Sequence, residues 1–243
     1  MSKNEDHNEE RFSRQLGIIG REGQEDLGEA TVTVVGLGGL GSPVAFYLAA
    51  AGIGELVLVD HDEVARSNLN RQIIHGEKDL GKTKSLSASE TLKDLNSRVE
   101  VNNLTREIKR EDLAGLPETD LIIGALDNFQ TRYLLNEFAV TEGIPFVHGA
   151  VEGFRGQLAT ILPGETACLR CIFPEEPPKE DNLQVMGPAA GVTGAMMAAE
   201  AIKYFTSSGT LAAGELVLLD LAENEFDKIA VSKSDECPTC GSI

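Results

Sequence analysis

Residues 31–60, TVTVVGLGGLGSPVAFYLAAAGIGELVLVD, decide the fold of this chain. An apolar run enters a glycine-rich turn, a segment with helical character leaves it, and a second apolar run ends on Asp60. This order predicts a β-turn-α-β unit in which Gly36, Gly38 and Gly41 form G-x-G-x-x-G, a motif that binds nucleotide phosphates in this context. Asp60 would accept hydrogen bonds from ribose hydroxyls. The alternative is a purely structural tight turn.

Each glycine of the turn has its own expected role. Gly36 permits the tight turn itself, because it has no Cβ. Gly38 and Gly39 let the backbone approach a phosphate, and Gly41 allows the helix to pack closely on the strand. We expect Ser42 to cap that helix.

Beyond this unit, apolar runs and helical patterns alternate up to about residue 150. The patterns predict helices over 85–96 and 129–142 and strands over 99–104, 121–126 and 144–149. Such alternation is typical of parallel sheets with right-handed crossovers. We therefore expect an α/β fold with a Rossmann-like, doubly wound, mostly parallel sheet.

The N-terminal segment differs from the rest of the chain. Residues 1–10 are polar and charged with almost nothing to bury, so they are predicted to be disordered. A helix with Arg14 on its polar side follows. We expect a single domain over 11–243, with a nucleotide-binding part at about 29–150 and a second part at about 151–243.

The patterns of the second part predict a C-terminal antiparallel extension of the sheet. They indicate a strand and turn at 155–164, a helix over 188–205, and the two strands of a hairpin at 216–220 and 226–231.

Composition excludes some classes of function. The 243 residues, 42% of them hydrophobic, suit one large domain, and the net charge of -18 argues against a nucleic-acid or anionic-membrane partner. No run approaches the ~20 apolar residues that span a bilayer, so we predict a soluble cytoplasmic protein. Against this acidic background, one loop-like stretch concentrates basic residues, namely Arg66, Arg71, Lys78, Lys82 and Lys84.

Asp127 and Asn128 directly follow the predicted strand 121–126. In open α/β sheets, ligands bind at this edge, so Asp127 is a candidate Mg²⁺ ligand beside a phosphate site. Alternatively, Asp127 or Asn128 caps the helix that follows. The local sequence does not decide between the two.

All four cysteines lie in two C-x-x-C pairs, Cys168 with Cys171 and Cys237 with Cys240. Two such pairs can supply the four thiolates that a structural Zn²⁺ requires, and this is the interpretation we prefer to two redox pairs or two disulfides. The metal would tie the C-terminal tail to the middle of the chain. Three of the four histidines, His61, His75 and His148, are expected to be satisfied structural residues rather than ligands.

Nine ordered motifs carry a resemblance over nearly the whole chain: RFSRQ, GLGGLGS, LVLVDHDEV, SNLNRQ, LGKTK, ALDN, CLRC, GxxGAMMAxEAIK and CPTC. Together they resemble the ThiF/MoeB/HesA family of ubiquitin-activating-type adenylyltransferases. The resemblance implies that the protein uses MgATP to adenylate the C-terminal glycine of a small ubiquitin-like sulfur-carrier protein, with release of pyrophosphate. The pathway stays open among thiamine, molybdopterin, tRNA thiolation and protein modification.

The resemblance also implies roles for individual residues. It gives a catalytic set of Arg14, Arg71, Lys84 and Asp127. It gives an ATP-binding set of Gly36, Gly38, Gly39, Gly41, Asp60, Asp62, Ser67, Asn68, Arg71, Lys84, Asp127 and Asn128. Asp127 is the metal-associated acid, and Arg14 reaches the phosphates of the neighbouring subunit's ATP, which implies a homodimer.

One departure from the family concerns the segment at 172–187, where many members carry a cysteine that bonds the carrier covalently. This chain has none there. We therefore predict that it stops at the acyl-adenylate and leaves sulfur delivery to another protein, such as a sulfurtransferase or a cysteine desulfurase. The acidic stretch at 175–187 is either a plain crossover or a guide for the carrier tail.

Three other functions remain open from the sequence. An NAD-dependent oxidoreductase would use the same glycine turn and Asp60, but it leaves the basic stretch and the cysteine pairs unexplained. An enzyme that activates a tRNA-attached carboxylate would share the ATP residues, although the acidic chain has no obvious RNA-binding surface. A non-catalytic scaffold for a carrier would have no need of the predicted catalytic set.

Overall fold

The protein forms one eight-stranded sheet flanked by helices. The structure is a computed structural model that describes residues 3–176 and 184–242. The strand order is β3-β2-β1-β4-β5-β6-β7-β8. The strands are β1 (Thr31–Val35), β2 (Glu55–Val59), β3 (Glu100–Leu104), β4 (Leu121–Gly124), β5 (Phe146–Glu152), β6 (Arg155–Ile161), β7 (Glu215–Asp220) and β8 (Glu225–Ala230).

Within the described ranges, seven α-helices connect and cover these strands. They are α1 (Lys3–Glu29), α2 (Gly41–Ala51), α3 (Lys84–Leu95), α4 (Arg110–Leu113), α5 (Phe129–Glu142), α6 (Leu169–Ile172) and α7 (Gly187–Thr206). Two short 3₁₀ turns, Arg66–Asn68 and Glu77–Asp79, lie between β2 and α3. None of the described helices is long and apolar enough to cross a membrane.

The pairing confirms the predicted architecture. Strands β1 to β5 pair in parallel, whereas β5 with β6, β6 with β7 and β7 with β8 pair antiparallel. The chain runs outward from β1 to β3 and then returns to add β4 on the other side of β1. The strand order therefore reverses between β1 and β4, which is where open α/β sheets leave a crevice for a ligand.

Side chains that alternate along the parallel strands build a core on each face of the sheet. On β2, Leu56 and Leu58 join helices α2, α3 and α7 on one face, and Val57 and Val59 join helix α5 and the cysteines on the other. Helix α7 crosses the start of α2 so closely that a Cβ at Gly194 would lie 2.4 Å from the Pro43 side chain. This contact joins the second part of the chain to the nucleotide-binding part.

Several element boundaries differ from the prediction. Helix α1 begins at Lys3, inside the segment predicted to be disordered, and residues 3–10 contain no glycine or proline that would interrupt a helix. It breaks at Gly20, whose φ of 74° is not helical. Ser42 was predicted to cap α2, but it lies inside the helix, where its hydroxyl donates to the Gly38 carbonyl at 2.7 Å. Part of the acidic stretch, 177–183, lies outside the described residues.

Candidate functional site

The glycine loop follows β1 and forms one wall of the crevice. Gly36 has a φ of 93°, and a Cβ there would lie 2.5 Å from the Ala125 carbonyl oxygen. A Cβ at Gly41 would lie 1.9 Å from the Gly36 carbonyl oxygen. These two positions therefore require glycine, because the loop turns back on itself and against the end of β4. Gly38 and Gly39 line the cavity, as predicted.

Asp60 fixes the glycine loop at the end of β2. Its carboxylate is 9% exposed and accepts the backbone N–H of Leu37 at 2.7 Å and that of Asp62 at 2.9 Å. The carboxylate lines the cavity, and each oxygen retains a further acceptor site that a ribose hydroxyl can use. Asp60 therefore lies in the cavity wall and makes backbone contacts that the sequence did not predict, whereas its binding of a ribose stays a prediction.

The cavity lies at the carboxyl ends of β1, β2 and β4. Its polar and charged lining comes from four segments of the chain: Asp60, His61 and Asp62; Arg71, Gln72 and Lys84; Arg106 and Glu107; and Asp127, Asn128, Thr131 and Arg132. Five of the predicted ATP-site residues with charged side chains are thus together, namely Asp60, Asp62, Arg71, Lys84 and Asp127.

Lys84 is the most enclosed cation of the predicted phosphate-binding set. It is 6% exposed at the start of α3, and its Nζ donates to Asp62 at 2.8 Å while its backbone N–H donates to the Asp62 carbonyl at 2.8 Å. Partial burial opposes ionisation of Asp62, but the hydrogen bond and charge of Lys84 outweigh it and lower the pKa of this carboxyl. Among the described residues, the Lys84 ammonium group pairs with a single side chain, the half-exposed carboxylate of Asp62.

Arg71 enters the cavity beside the glycine loop. Its Nη1 donates to the Ser67 carbonyl and to Asn70 Oδ1, both at 3.0 Å. Its Cγ would lie 3.5 Å from a Cβ at Gly39, so the stem packs against the loop. Ser67 and Asn68 do not line the cavity: Asn68 Oδ1 accepts the Ala65 N–H at 3.0 Å and stabilises the 3₁₀ turn that precedes Arg71.

The structure assigns the helix cap and the free carboxylate to different residues. Asn128 caps α5, since its Oδ1 accepts the Thr131 N–H at 2.8 Å. Asp127 lines the cavity and makes no hydrogen bond or ion pair with any residue that the structure describes. Asp127 is therefore available to a ligand.

Arg132, which the sequence reasoning missed, lies behind Asp127. Its Nε and Nη2 donate to the Leu126 carbonyl at 3.1 and 2.6 Å, and its guanidinium lies 4.7 Å from the centre of the Phe129 ring. Burial lowers the pKa of Arg132 to about 10, against the opposing charge of Asp127. The arginine fixes the turn after β4 and balances the Asp127 charge.

The sequence also indicated no role for Gln72, although this residue directly follows Arg71 in the motif SNLNRQ. It is 4% exposed, it lines the cavity, and its Oε1 has no hydrogen-bond partner in the described parts of the chain. A buried amide oxygen without a partner is costly, so its place in the wall of a ligand cavity accounts for it.

Arg14 is not part of the cavity of its own chain. It lies exposed on α1 and is absent from the cavity lining. The prediction that it serves a neighbouring subunit requires this separation, but no partner chain tests it.

The four cysteines converge as predicted, although the facing cysteines lie 69 positions apart in the sequence. Cys168 Sγ lies 3.6 Å from Cys237 Sγ, Cys171 Sγ lies 3.5 Å from Cys240 Sγ, and all four sulfurs lie within 4.8 Å of one another. A tetrahedral zinc site with Zn–S bonds of ~2.3 Å requires sulfur separations of about 3.8 Å. The cluster fits Zn²⁺, and its sulfurs are much farther apart than the ~2.05 Å of a disulfide.

The cysteines of the cluster differ in the direction in which their surroundings shift the pKa of the thiol. Burial raises the pKa of Cys168 and of Cys240, while the backbone N–H groups of Cys240 and Thr239 lower the pKa of Cys237 to about 7 against its burial. Four thiolates in this space would repel one another strongly, so full ionisation requires a cation among them.

The histidine predictions have different outcomes. His75 is satisfied as expected, since its ring nitrogens lie 2.8 Å from Ser87 Oγ and 3.1 Å from the Leu37 carbonyl. His61 is exposed beside Asp62. His148 corrects the prediction, because it is fully buried on β5 and neither ring nitrogen has a hydrogen-bond partner within the described ranges. Burial lowers its pKa well below the usual value, so it is neutral.

The fold and the site together define a nucleotide-binding α/β protein with a cluster of four cysteines that could hold a metal ion. The sequence profile of the ThiF family matches residues 12–239, and the chain belongs to that family.

Three comparisons describe its similarity to known proteins. The chain is 40% identical over 243 residues to the SAMP-activating enzyme E1 of Haloferax volcanii, covering 96% of this chain and 88% of that protein. It is 42% identical over 245 residues to the sulfur carrier protein adenylyltransferase of Thermus thermophilus, covering 96% and 90%. A crystal structure of Escherichia coli MccB with MccA-N7isoASN matches with a TM-score of 0.88 and 26% identity, over 96% of this chain and 75% of that one.

Proposed function

We propose that the protein adenylates the C-terminal glycine of a small ubiquitin-like sulfur-carrier protein, using MgATP and releasing pyrophosphate. The observation that carries this proposal is the convergence of Arg71, Lys84 and Asp127 around the glycine loop, at the edge of the sheet where nucleotides bind. The names of the relatives in Haloferax volcanii and Thermus thermophilus support the carrier as substrate.

The residue types suit this chemistry. A glycine carboxylate attacks the α-phosphorus of ATP, the bond from that phosphorus to the bridging oxygen breaks, and pyrophosphate leaves. Both reactants are anionic, so catalysis consists mainly of positioning and charge neutralisation, and no side-chain nucleophile is required. Arg71 and Lys84 would bind the phosphates, and Asp60 the ribose.

Asp127 is the residue that we expect to hold Mg²⁺. Mg²⁺ in proteins is usually bound through one or two carboxylates together with substrate phosphates and waters, and Asp127 offers an unpaired carboxylate beside the phosphate-binding loop. The ion would supply charge neutralisation of the phosphates. Arg132 keeps the carboxylate in place by its contacts to the Leu126 carbonyl.

We further propose that the cysteine cluster holds a structural Zn²⁺. The sulfur separations fit a tetrahedral site, and four thiolates leave no open position for substrate. The metal would tie the C-terminal turn at Cys237 and Cys240 to the turn at Cys168 and Cys171.

The same proposal includes a homodimer in which Arg14 reaches the ATP of the neighbouring subunit. Its support is the exposure of Arg14 on α1 and the absence of Arg14 from the lining of the cavity in its own chain. With no cysteine at 172–187 and four cysteines committed to the metal, the enzyme would stop at the acyl-adenylate. A sulfurtransferase or cysteine desulfurase would then supply the sulfur.

ATP–pyrophosphate exchange tests the proposal. The assay contains Mg²⁺ and, in turn, each small diglycine-ending protein of the same organism, with a version of each that lacks the terminal glycine as the matched control. Exchange with one carrier, lost with its truncated version, is the expected result. Absence of exchange with every carrier, despite measured ATP binding, would reject the proposal, and binding of NAD in place of ATP would favour an oxidoreductase.

A further inference from the structure

The side chain of Asn136 lies beside the turn at Cys168 and Cys171, which we call the metal turn. Only one of its two polar atoms has a hydrogen-bond partner among the described residues. It is fully buried in the middle of α5, and its Oδ1 accepts the backbone N–H of Leu169 at 2.8 Å. Its Nδ2 has no hydrogen-bond partner among the residues that the structure describes. Leu169 directly follows Cys168, a member of the four-cysteine cluster that is fully buried as well.

A buried amide that leaves a donor unpaired is uncommon, because the lost hydrogen bonds to water cost about 1–3 kcal/mol. Metal-bound thiolates are strong acceptors, and the groups that donate to metal ligands commonly orient them and tune their affinity. A metal-loaded Cys168 would give Nδ2 the partner that it lacks.

The same helix extends to both parts of the candidate site. Its first residues follow Asp127 and Asn128, and Asn128 caps it. One turn before Asn136, the Tyr133 hydroxyl donates to the Phe173 carbonyl at 2.9 Å, directly after the metal turn. The Arg170 guanidinium lies 3.5 Å from the centre of the Tyr133 ring. Helix α5 therefore contacts the metal turn at several points, and Asn136 binds the residue that directly follows Cys168.

We propose that Asn136 is a positioning residue of the metal centre: its Oδ1 holds the backbone of Leu169, and its Nδ2 donates to the Cys168 thiolate once the metal is bound. This fixes the metal turn to the helix that begins at Asp127. The inference rests on the metal centre of the proposed function and adds to it a residue outside the four ligands.

The test compares Asn136→Asp with Asn96→Asp in the full chain. Aspartate at 136 keeps an oxygen that can accept the Leu169 N–H but removes the amide donor. Asn96 is the matched control, since it is equally buried, its Oδ1 accepts the Arg98 N–H, and its Nδ2 donates to the Ala49 carbonyl, far from the cysteines. Two quantities are measured: the rate of Zn²⁺ release to a coloured chelator, and the energy of the thiolate-to-metal charge-transfer band after loading with Co²⁺.

We expect Asn136→Asp to release Zn²⁺ about 10–100-fold faster than the wild type, as loss of such an outer contact typically weakens metal binding by this factor. We also expect the charge-transfer band to move to lower energy, because the Cys168 thiolate loses a hydrogen bond. Asn96→Asp should leave both quantities unchanged. Wild-type release and an unmoved band in Asn136→Asp would overturn the inference, whereas a wild-type protein that binds neither Zn²⁺ nor Co²⁺ would reject the metal centre itself.

Discussion

Replacing Lys84 with methionine separates the role of this residue in catalysis from its role in the fold. Methionine keeps most of the side-chain volume in a position that is 6% exposed, and the backbone N–H bond to the Asp62 carbonyl is retained. The change removes the ammonium group and its ion pair with Asp62 at 2.8 Å. Because the Asp62 side chain is 53% exposed, water can solvate the carboxylate that remains.

The two expected effects differ in size. An ion pair with one half-exposed partner contributes about 1 kcal/mol or less to folding, so the stability of the variant should stay close to that of the wild type. A buried cation directed at charge that develops on a transferring phosphoryl group contributes about 2.7–4 kcal/mol to the transition state. The rate of carrier-dependent ATP–pyrophosphate exchange should therefore fall about 100-fold or more.

Lys82→Met is the matched control. Lys82 pairs with Asp79 at 3.0 Å and Glu90 at 2.7 Å but does not line the cavity, so its replacement should change stability without changing the exchange rate. Exchange rates are measured at saturating ATP and carrier, with urea denaturation in parallel. An exchange rate in Lys84→Met equal to that of the wild type would refute the role given to Lys84.

Three further predictions follow from the site and its surroundings. If Arg14 acts across a dimer, mixing inactive Arg14→Ala and Lys84→Met proteins creates one intact site in each mixed dimer. Random exchange of subunits should then restore about a quarter of wild-type activity. Persistent inactivity after measured subunit exchange would contradict this role of Arg14. Burial lowers the pKa of both His75 and His148, so the folded protein resists protonation while the unfolded chain takes up protons below about pH 6.5. Stability should thus fall from pH 7 to pH 5.5, by up to about 1.4 kcal/mol per pH unit for each histidine, and His148→Phe should remove about half of that slope in urea denaturation. Finally, zinc-loaded enzyme incubated with carrier and MgATP should form no conjugate that thiols release, and such a conjugate on a non-reducing gel would show that a cysteine takes part.

The sequence predicted most elements of the fold because their signals are local. The run 31–35 consists of valine and threonine, which favour strands, and this predicts a strand directly before the glycine turn. Contacts of the loop with itself and with Ala125 require the glycines at 36 and 41. The parallel sheet and its antiparallel extension followed from the order of such elements. The boundaries were less accurate, as at Ser42, since capping depends on where the chain turns into the helix.

Roles that depend on three-dimensional neighbours could not be predicted. The sequence could not divide capping and ligand binding between Asn128 and Asp127, because both follow the same strand. Arg132 and Asn136 lie outside the motifs, and Gln72 belongs to one without a role being evident for it. Their importance comes from burial beside particular groups, which only the folded chain shows. For His148 the prediction of a satisfied side chain was wrong, because nothing in the sequence indicates that both ring nitrogens are buried without a partner among the described residues.

The most direct test of the central claim uses ATP labelled on the α-phosphorus. The enzyme is incubated with Mg²⁺, the labelled ATP and the carrier that supports exchange, with pyrophosphatase present, and the carrier is then isolated. If the carrier is adenylated, it becomes labelled from ATP that carries the label on the α-phosphorus. It stays unlabelled with ATP labelled on the γ-phosphorus, and a carrier without its terminal glycine stays unlabelled with either ATP. Label that arrives from the γ-phosphorus, or a carrier that stays unlabelled while ATP is consumed, would contradict the account.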